Sequence, residues 1–316
     1  MSIQITGAGI YLPDKIEKSK STAQLINKSE DWIISKTGVK ERRISEIDVD
    51  QMGAIAAAEA LKNKDEPDLI INASGVPKQT IPDTSVFFQR ELGIKNVPCF
   101  SIHGTCLSFL IALNNARALI NSNIYKKILI ISSDRGSIGR NPNEPESAAL
   151  LGDGAAAILV EEEETSTDSF HYWKMNTWSS DAELTEVRGG GTFKHPLDKN
   201  TELNDNLFTM DGPAIYKSAR KKAYKMVLET FKKTNYNKED VSWVIPHQAS
   251  LKAINAYHEY GKFEKDRIIN IVSKTGNCVA ASMPMALVTA IKDGRVKRGD
   301  LLYFIGTGAG LSMACA

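Results

Sequence analysis

Apolar positions in this chain come in two alternating patterns, short continuous runs and longer stretches with helical spacing. Residues 2–11 read as a first strand, closed by Leu12-Pro13. Ser29 is a cap candidate for a helix opening on Glu30-Asp31-Trp32-Ile33-Ile34, and residues 37–43 follow as a polar turn. Residues 52–62 predict an alanine-rich helix. Residues 68–73 are a continuous apolar run, the mark of a strand buried on both faces. A helix over 83–92, a strand over 97–102, a helix opening at Cys106 and strands over 127–132 and 152–160 complete this half. The acidic run 161–164 reads as a solvated edge. The second half runs in similar order: a helix over 214–231, a buried strand over 241–246, a helix over 284–291 and a strand over 300–305. Gly152-x-Gly-Ala and Gly306-x-Gly-Ala each precede a terminal strand of their half. That repeat predicts two similar α/β halves packed face to face, 1–165 and 211–316, with the irregular stretch 166–210 linking them.

Composition narrows the class. The chain has 316 residues, 42% of them apolar and 24% charged, ordinary for a globular protein with a sizeable core. A net charge of +1 argues against a whole-surface nucleic-acid or membrane role. No window approaches the ~18 apolar residues of a membrane span, and the N-terminus lacks the pattern of a secretion signal. Cys99, Cys106, Cys278 and Cys315 are scattered, without a CxxC or regular histidine spacing, so neither a disulfide framework nor a zinc site is expected. A reduced, cytoplasmic setting is the default.

Cys106 is the first chemical candidate. It follows the small pair Gly104-Thr105 and precedes a run of about four helical turns carrying Leu107, Phe109, Leu110, Ile111, Leu113, Ala116, Leu119 and Ile120. At the first turn of a buried helix, unpaired N–H groups and the positive end of the macrodipole favour thiolate over thiol. Free cysteine also often just fills space in a core. His247 directly follows a buried strand, where a helix would begin; Asn277 sits among small residues in Thr275-Gly276-Asn277-Cys278-Val279-Ala280-Ala281. The backbone N–H groups of residues 306–310 are suited to face a reacting carbonyl. The plainer readings are a structural histidine, a Gly-Asn turn and a tight strand-to-strand turn. Residues 306–310 also imitate a dinucleotide fingerprint, but only six residues follow, too few for the helix that motif requires.

In this order the motifs resemble the active site of thiolase-fold condensing enzymes, specifically the β-ketoacyl-[acyl-carrier-protein] synthase III family. The resemblance spans Asp31-Trp32-Ile33 with Thr37-Gly38-Val39-Lys40-Glu41-Arg42, the Cys106 segment, Gly152-Asp153-Gly154-Ala155-Ala156, His247-Gln248-Ala249, Gly276-Asn277 with Ala280-Ala281-Ser282, and the closing glycine loop. Phe304-Ile305 stand where degradative thiolases carry a second cysteine, and Asn277 where elongating synthases carry a second histidine. The resemblance implies a duplicated thiolase-like fold with a layered α-β-α-β-α core. It implies decarboxylative Claisen condensation: Cys106 takes an acyl group, backbone N–H groups of Cys106 and Ala309 hold the oxyanion, and His247 and Asn277 stabilise the enolate formed when malonyl thioester loses CO2. No metal or permanently bound cofactor is implied; the substrates are acyl and malonyl thioesters of coenzyme A or acyl carrier protein. Trp32, Lys36, Ile81, Phe109 and Tyr216 match substrate-binding positions, with Ile81 capping the partner's acyl pocket across a homodimer. Lys217, Arg220, Lys221, Lys222 and Lys225 form a basic helical face. With Lys252 they match a docking site for acidic acyl carrier protein, and a solvated helix face remains the plainer reading. Gly104-Thr105 stand in place of the family's usual small Ala pair, and Ser108 in place of a common glycine, beside the acyl tunnel. Lys36 and Pro145 stand where many members have arginine, which implies a weaker grip on coenzyme A. The alternatives are a specialised-metabolite condensing enzyme, an acyltransferase that does not condense, and a non-enzymatic binding module.

Overall fold

The computed structural model describes residues 2–163 and 170–316; the expected boundary at 165/166 lies outside them. The first half runs β1 (Ser2–Tyr11), β2 (Ile16–Lys18), α1 (Ser19–Leu25), α2 (Glu30–Thr37), β3 (Glu41–Arg43), α3 (Val49–Ala60) and β4 (Leu69–Asn72). It continues with α4 (Thr84–Leu92), β5 (Cys99–Ser101), α5 (Ser108–Asn121), β6 (Lys127–Arg135), α6 (Pro145–Ala148) and β7 (Asp153–Glu163). Then come β8 (Lys174–Thr177), β9 (Thr185–Glu186), β10 (Thr209–Met210), α7 (Gly212–Lys233), β11 (Trp243–Pro246) and α8 (Leu251–Glu259). The chain closes with α9 (Val272–Thr275), α10 (Ser282–Lys292), β12 (Leu302–Gly308) and β13 (Ser312–Cys315).

Two main sheets carry the fold, ordered β1-β7-β6-β4-β5 and β11-β12-β13-β8. In the first, β4 is parallel to β6, β6 is antiparallel to β7, and β7 is antiparallel to β1. In the second, β11 is parallel to β12, β12 is antiparallel to β13, and β13 is antiparallel to β8. The halves are thus duplicates in topology, with β8 the counterpart of β1. Part of the stretch 166–210, expected only to link the halves, therefore belongs to the second sheet. A lone strand of alternating Lys174, Met175, Asn176 and Thr177 carries too weak an apolar pattern to be read without its partner β13.

Strand alternation divides the side chains among the layers. Leu69, Ile71, Ile128 and Ile130 point to the middle, where they meet α5 and α10; Ile70, Leu129 and Ile131 point outward onto α3. From the second sheet, Phe304 and Ala314 join the middle layer, while Tyr303, Ile305, Met313 and Cys315 face α7 and α8. The result is helix, sheet, helix, sheet, helix. The buried middle explains why α5 is apolar nearly all round. The turn expected over 37–43 closes instead as β3 on β2, and Arg42 is wholly buried beneath it. Arg42 is held by Glu17, Thr22, Ser19 and the Ala149 carbonyl.

Candidate active site

Segments from both halves of the chain line one cavity of about 1180 Å³, its open mouth included. Cys106, His247 and Asn277 line it, with Thr307, Gly308 and Ala309. Cys106, His247 and Asn277 come from three separate segments of the chain, and Thr307 and Gly308 end β12. α5 starts at Ser108, so Cys106 sits just before the helix rather than in its first turn. Thr105 adopts a left-handed φ of 53°, which turns the chain sharply ahead of the cysteine. Ser108 closes this corner, its hydroxyl accepting from Gly104 N–H (3.0 Å) and donating to Thr105 O (2.7 Å).

His247 follows β11, where its N–H donates to Ile305 O at 3.0 Å. Gln248 locks this exit: its amide nitrogen donates to Pro246 O (2.8 Å) and Ile269 O (3.1 Å), and its oxygen accepts from Ile271 N–H at 2.8 Å. β12 can lie close beneath these groups because it carries glycine. A Cβ on Gly306 would stand 2.9 Å from His247 Cβ, and one on Gly308 would stand 2.5 Å from Thr105 Oγ1. Asn277 is fixed through backbone and side chain. Its N–H donates to Leu150 O (2.8 Å), its carbonyl accepts from Gly152 N–H (3.0 Å), and its Oδ1 accepts from Val279 N–H (2.9 Å) and Ser282 Oγ (3.2 Å). With Oδ1 so engaged, the amide can offer Nδ2 as a donor.

The electrostatics differ from the expectation at Cys106. Burial, and then the Asp134 charge, push its thiol up to about 12, although the residue keeps part of its surface open to the cavity. Burial first, and then the neighbouring carboxylate, outweigh any help from the helix start. Burial brings the His247 imidazole down to about 4, so it is neutral at pH 7. Its Nδ1 is enclosed without a hydrogen-bond partner among the described residues. The site thus holds a thiol and a neutral imidazole, a pair able to move a proton as sulfur attacks.

Asp134, at the end of β6, has no motif in the sequence that marks it. It is fully buried, and burial raises its carboxyl to about 7. Its oxygens accept from Gly75 and Val76 N–H (both 2.8 Å) and from Ala281 N–H (3.0 Å). Asp134 therefore ties the loop after β4 to the loop carrying Asn277. His103 Nε2 meets Gly75 O at 3.2 Å, extending the tie to the segment before Cys106.

Comparison with known proteins agrees with this geometry. Residues 100–177 match the family described as 3-oxoacyl-[acyl-carrier-protein (ACP)] synthase III, and residues 231–316 match its C-terminal family. A β-ketoacyl-[acyl-carrier-protein] synthase III of Aquifex aeolicus is 33% identical, the match covering 99% of this chain and 97% of that one. The chain belongs to the β-ketoacyl-[acyl-carrier-protein] synthase III family. Another synthase III, from Rickettsia bellii, is 30% identical over 100% of this chain and 99% of its own. The crystal structure of the Aquifex aeolicus enzyme superposes with a TM-score of 0.90, at 33% identity, covering 99% of this chain and 98% of that one. The protein is a condensing enzyme of the acyltransferase class on the thiolase fold.

The structure distributes the remaining synthase III positions unevenly. Tyr216 lines the cavity, and Lys252 Nζ lies 4.4 Å over its ring. Arg220 also lines it, stacked 4.7 Å over Tyr260 and donating to that hydroxyl at 3.0 Å. Lys217, Lys221 and Lys225 are exposed on α7. Lys222 turns away from that face to bind Asp181, with its ammonium 4.8 Å over Trp178. Phe109 does not line the cavity; it is buried in the middle layer. Trp32 is half-buried against the α1–α2–α6 cluster with Lys28 over its ring, and Lys36 is exposed on α2. Pro145 opens α6. Ile81 stands out from the chain at 82% exposure, away from the cavity.

Proposed function

We propose that this synthase III joins a Cys106-bound acyl group to a malonyl thioester with loss of CO2, giving a β-ketoacyl thioester that initiates a fatty acid. The observation that carries the reading is the single cavity in which Cys106, His247, Asn277 and the Thr307–Ala309 backbone meet from both halves of the chain. Cys106 sulfur attacks the acyl carbonyl while neutral His247 takes the thiol proton, and the backbone N–H groups of Cys106 and Ala309 hold the oxyanion. His247 gives that proton to the departing thiolate, so the imidazole is again neutral when the malonyl thioester enters. His247 and Asn277 Nδ2 then donate to the malonyl carbonyl, and the enolate formed as CO2 leaves attacks the acyl carbon and expels Cys106 sulfur.

Arg220 and Lys252 at the cavity mouth, with Lys217 and Lys221 beside them, suit an acidic carrier protein. The enzyme works as a homodimer, consistent with the short edge strand β5 and the outstanding Ile81. It acts in the cytoplasm, in keeping with the absence, among the described residues, of any helix able to cross a membrane. The test supplies one acyl chain on coenzyme A and on carrier protein, with malonyl-carrier protein, and follows β-ketoacyl product by mass spectrometry at low and high salt. A product whose formation from carrier-bound acyl slows as salt rises is expected. CO2 release without product, or acyl transfer without CO2, would replace condensation with another reaction.

A further inference from the structure

Left-handed backbone stands on both sides of the reaction. Among the described non-glycine residues with positive φ, four are asparagines and one is Lys262; the other two are Thr105 and Val279. Asparagine tolerates that region, whereas a β-branched side chain is strained in it. Both β-branched cases flank catalytic residues: Thr105 (φ 53°) precedes Cys106, and Val279 (φ 49°) lies two residues after Asn277. Val279 is wedged between two strand exits. β4 and β6 pair in parallel, Gly75 lies in the loop leaving β4, and Gly136 directly follows β6. A Cβ on Gly75 would stand 2.5 Å from Val279 Cγ1, and one on Gly136 would stand 3.3 Å from Val279 Cγ2. Each methyl of the valine thus fills space that a glycine leaves. The turn at Val279 sends nearby N–H groups to different partners. Val279 N–H donates to Asn277 Oδ1 at 2.9 Å, and Ala281 N–H donates to Asp134 at 3.0 Å. Asp134 also takes Gly75 and Val76 N–H, so it fixes the loop against which Val279 rests. That loop borders the nucleophile corner as well, a Cβ on Gly75 standing 3.5 Å from Thr105 O.

We propose that Asp134 and Val279 are positioning residues for decarboxylation: the buried carboxylate holds Val279 in its left-handed turn, and Val279 N–H aims the Asn277 amide so that Nδ2 meets the malonyl carbonyl. The proposal rests on the condensation reading above and adds two residues that do not line the cavity. A carboxylate suits this place because it accepts from two loops and brings no donor of its own. An asparagine at 134 would turn an NH2 group toward one of those N–H donors. With the Ala281 bond lost, Val279 is free to relax out of the left-handed region, and Asn277 Oδ1 keeps only Ser282 Oγ at 3.2 Å. A loosened amide offers the developing enolate one preorganised donor fewer. Attack by Cys106 sulfur uses no group of Asn277, so the two half-reactions should part.

The test uses the full-length enzyme with Val279→Gly, Val279→Thr and Asp134→Asn. Glycine removes both methyls and lets the backbone leave the left-handed region, whereas threonine keeps the branched shape. CO2 release from malonyl-carrier protein and acylation of Cys106 are timed separately, and amide hydrogen exchange is followed over residues 276–282. In Val279→Gly, kcat for CO2 release should fall about tenfold or more while acylation slows less than about threefold. Asp134→Asn should lose CO2 release to a similar degree, and exchange over 276–282 should quicken in both variants. Val279→Thr should keep CO2 release within about threefold of the wild type. Equal losses of acylation and CO2 release in Val279→Gly would reduce Val279 to a general structural role and overturn the proposal, and so would full CO2 release in that variant. If Asp134→Asn does not fold, Val279→Gly still decides. A wild-type protein that releases no CO2 would instead remove the condensation reading; exchange over 276–282 would then decide alone, and unchanged exchange in Val279→Gly would overturn the proposal.

Discussion

Single residues decide the protonation state of the site. Asp134 is central because its charge is among the causes that raise the Cys106 thiol. Asp134→Asn removes that charge, so the thiol should ionise at lower pH. The inflection in a pH profile of iodoacetamide alkylation at Cys106 should move down, and an unchanged or upward inflection would contradict the assignment. The amide also cannot accept all three N–H bonds that the carboxylate takes, so the variant should lose about 1–3 kcal/mol of stability, read as a lower melting temperature. His247 and Asn277 should separate in their effects. A thiol at about 12 needs a base during attack, and the neutral imidazole of His247 lines the same cavity. His247→Ala should therefore slow both acylation and malonyl decarboxylation, each about 100-fold or more, whereas Asn277→Ala should slow decarboxylation about 100-fold and acylation far less. Stopped-flow acylation and CO2 release measure the two. Equal loss of acylation in both variants would mean that His247 is not the base.

At the scale of elements, β12 is the seat on which the Cys106 corner rests. Gly308→Ala would drive its Cβ to 2.5 Å from Thr105 Oγ1 and 3.0 Å from Gly104 O. The strand or the corner must give way, at about 1–3 kcal/mol, and the nucleophile moves with it. Turnover should fall more than tenfold while circular dichroism keeps its folded shape, and full activity in Gly308→Ala would show that the close approach is dispensable. Most elements of this scaffold are readable without the structure, because their apolar periods match their burial. The run 68–73 forms β4, buried throughout, and Ser29 caps α2 by accepting from Trp32 N–H at 3.0 Å. The elements that escape are those whose stability comes from a distant partner. β8 exists because β13 pairs with it, and β3 because β2 does. At the site, Cys106, His247, Asn277 and the glycine loop are legible as motifs. Asp134 is not, because its meaning lies in three loop N–H groups brought together only by folding. The thiol's raised pKa is hidden for the same reason: local position favours a thiolate, and the folded surroundings reverse it.

The whole molecule is a duplicated sheet pair whose two halves each supply part of one cavity. That arrangement leaves β5 as an edge strand with Phe100 partly exposed, and it leaves Ile81 outside any core. Pairing two copies across that edge would cover both, so light scattering should give twice the 34.7 kDa chain mass at micromolar concentration. A stable monomer would contradict the dimer and leave Ile81 without a role. The account stands most directly on the sulfur of Cys106. The deciding measurement is peptide mass mapping after the wild-type protein and Cys106→Ala are incubated with an acyl thioester. A thiolysis-labile acyl adduct should appear on the wild-type peptide that contains Cys106 and be absent from Cys106→Ala. An adduct at full occupancy on the variant, or one carried by Cys99, Cys278 or Cys315 in the wild type, would contradict the account.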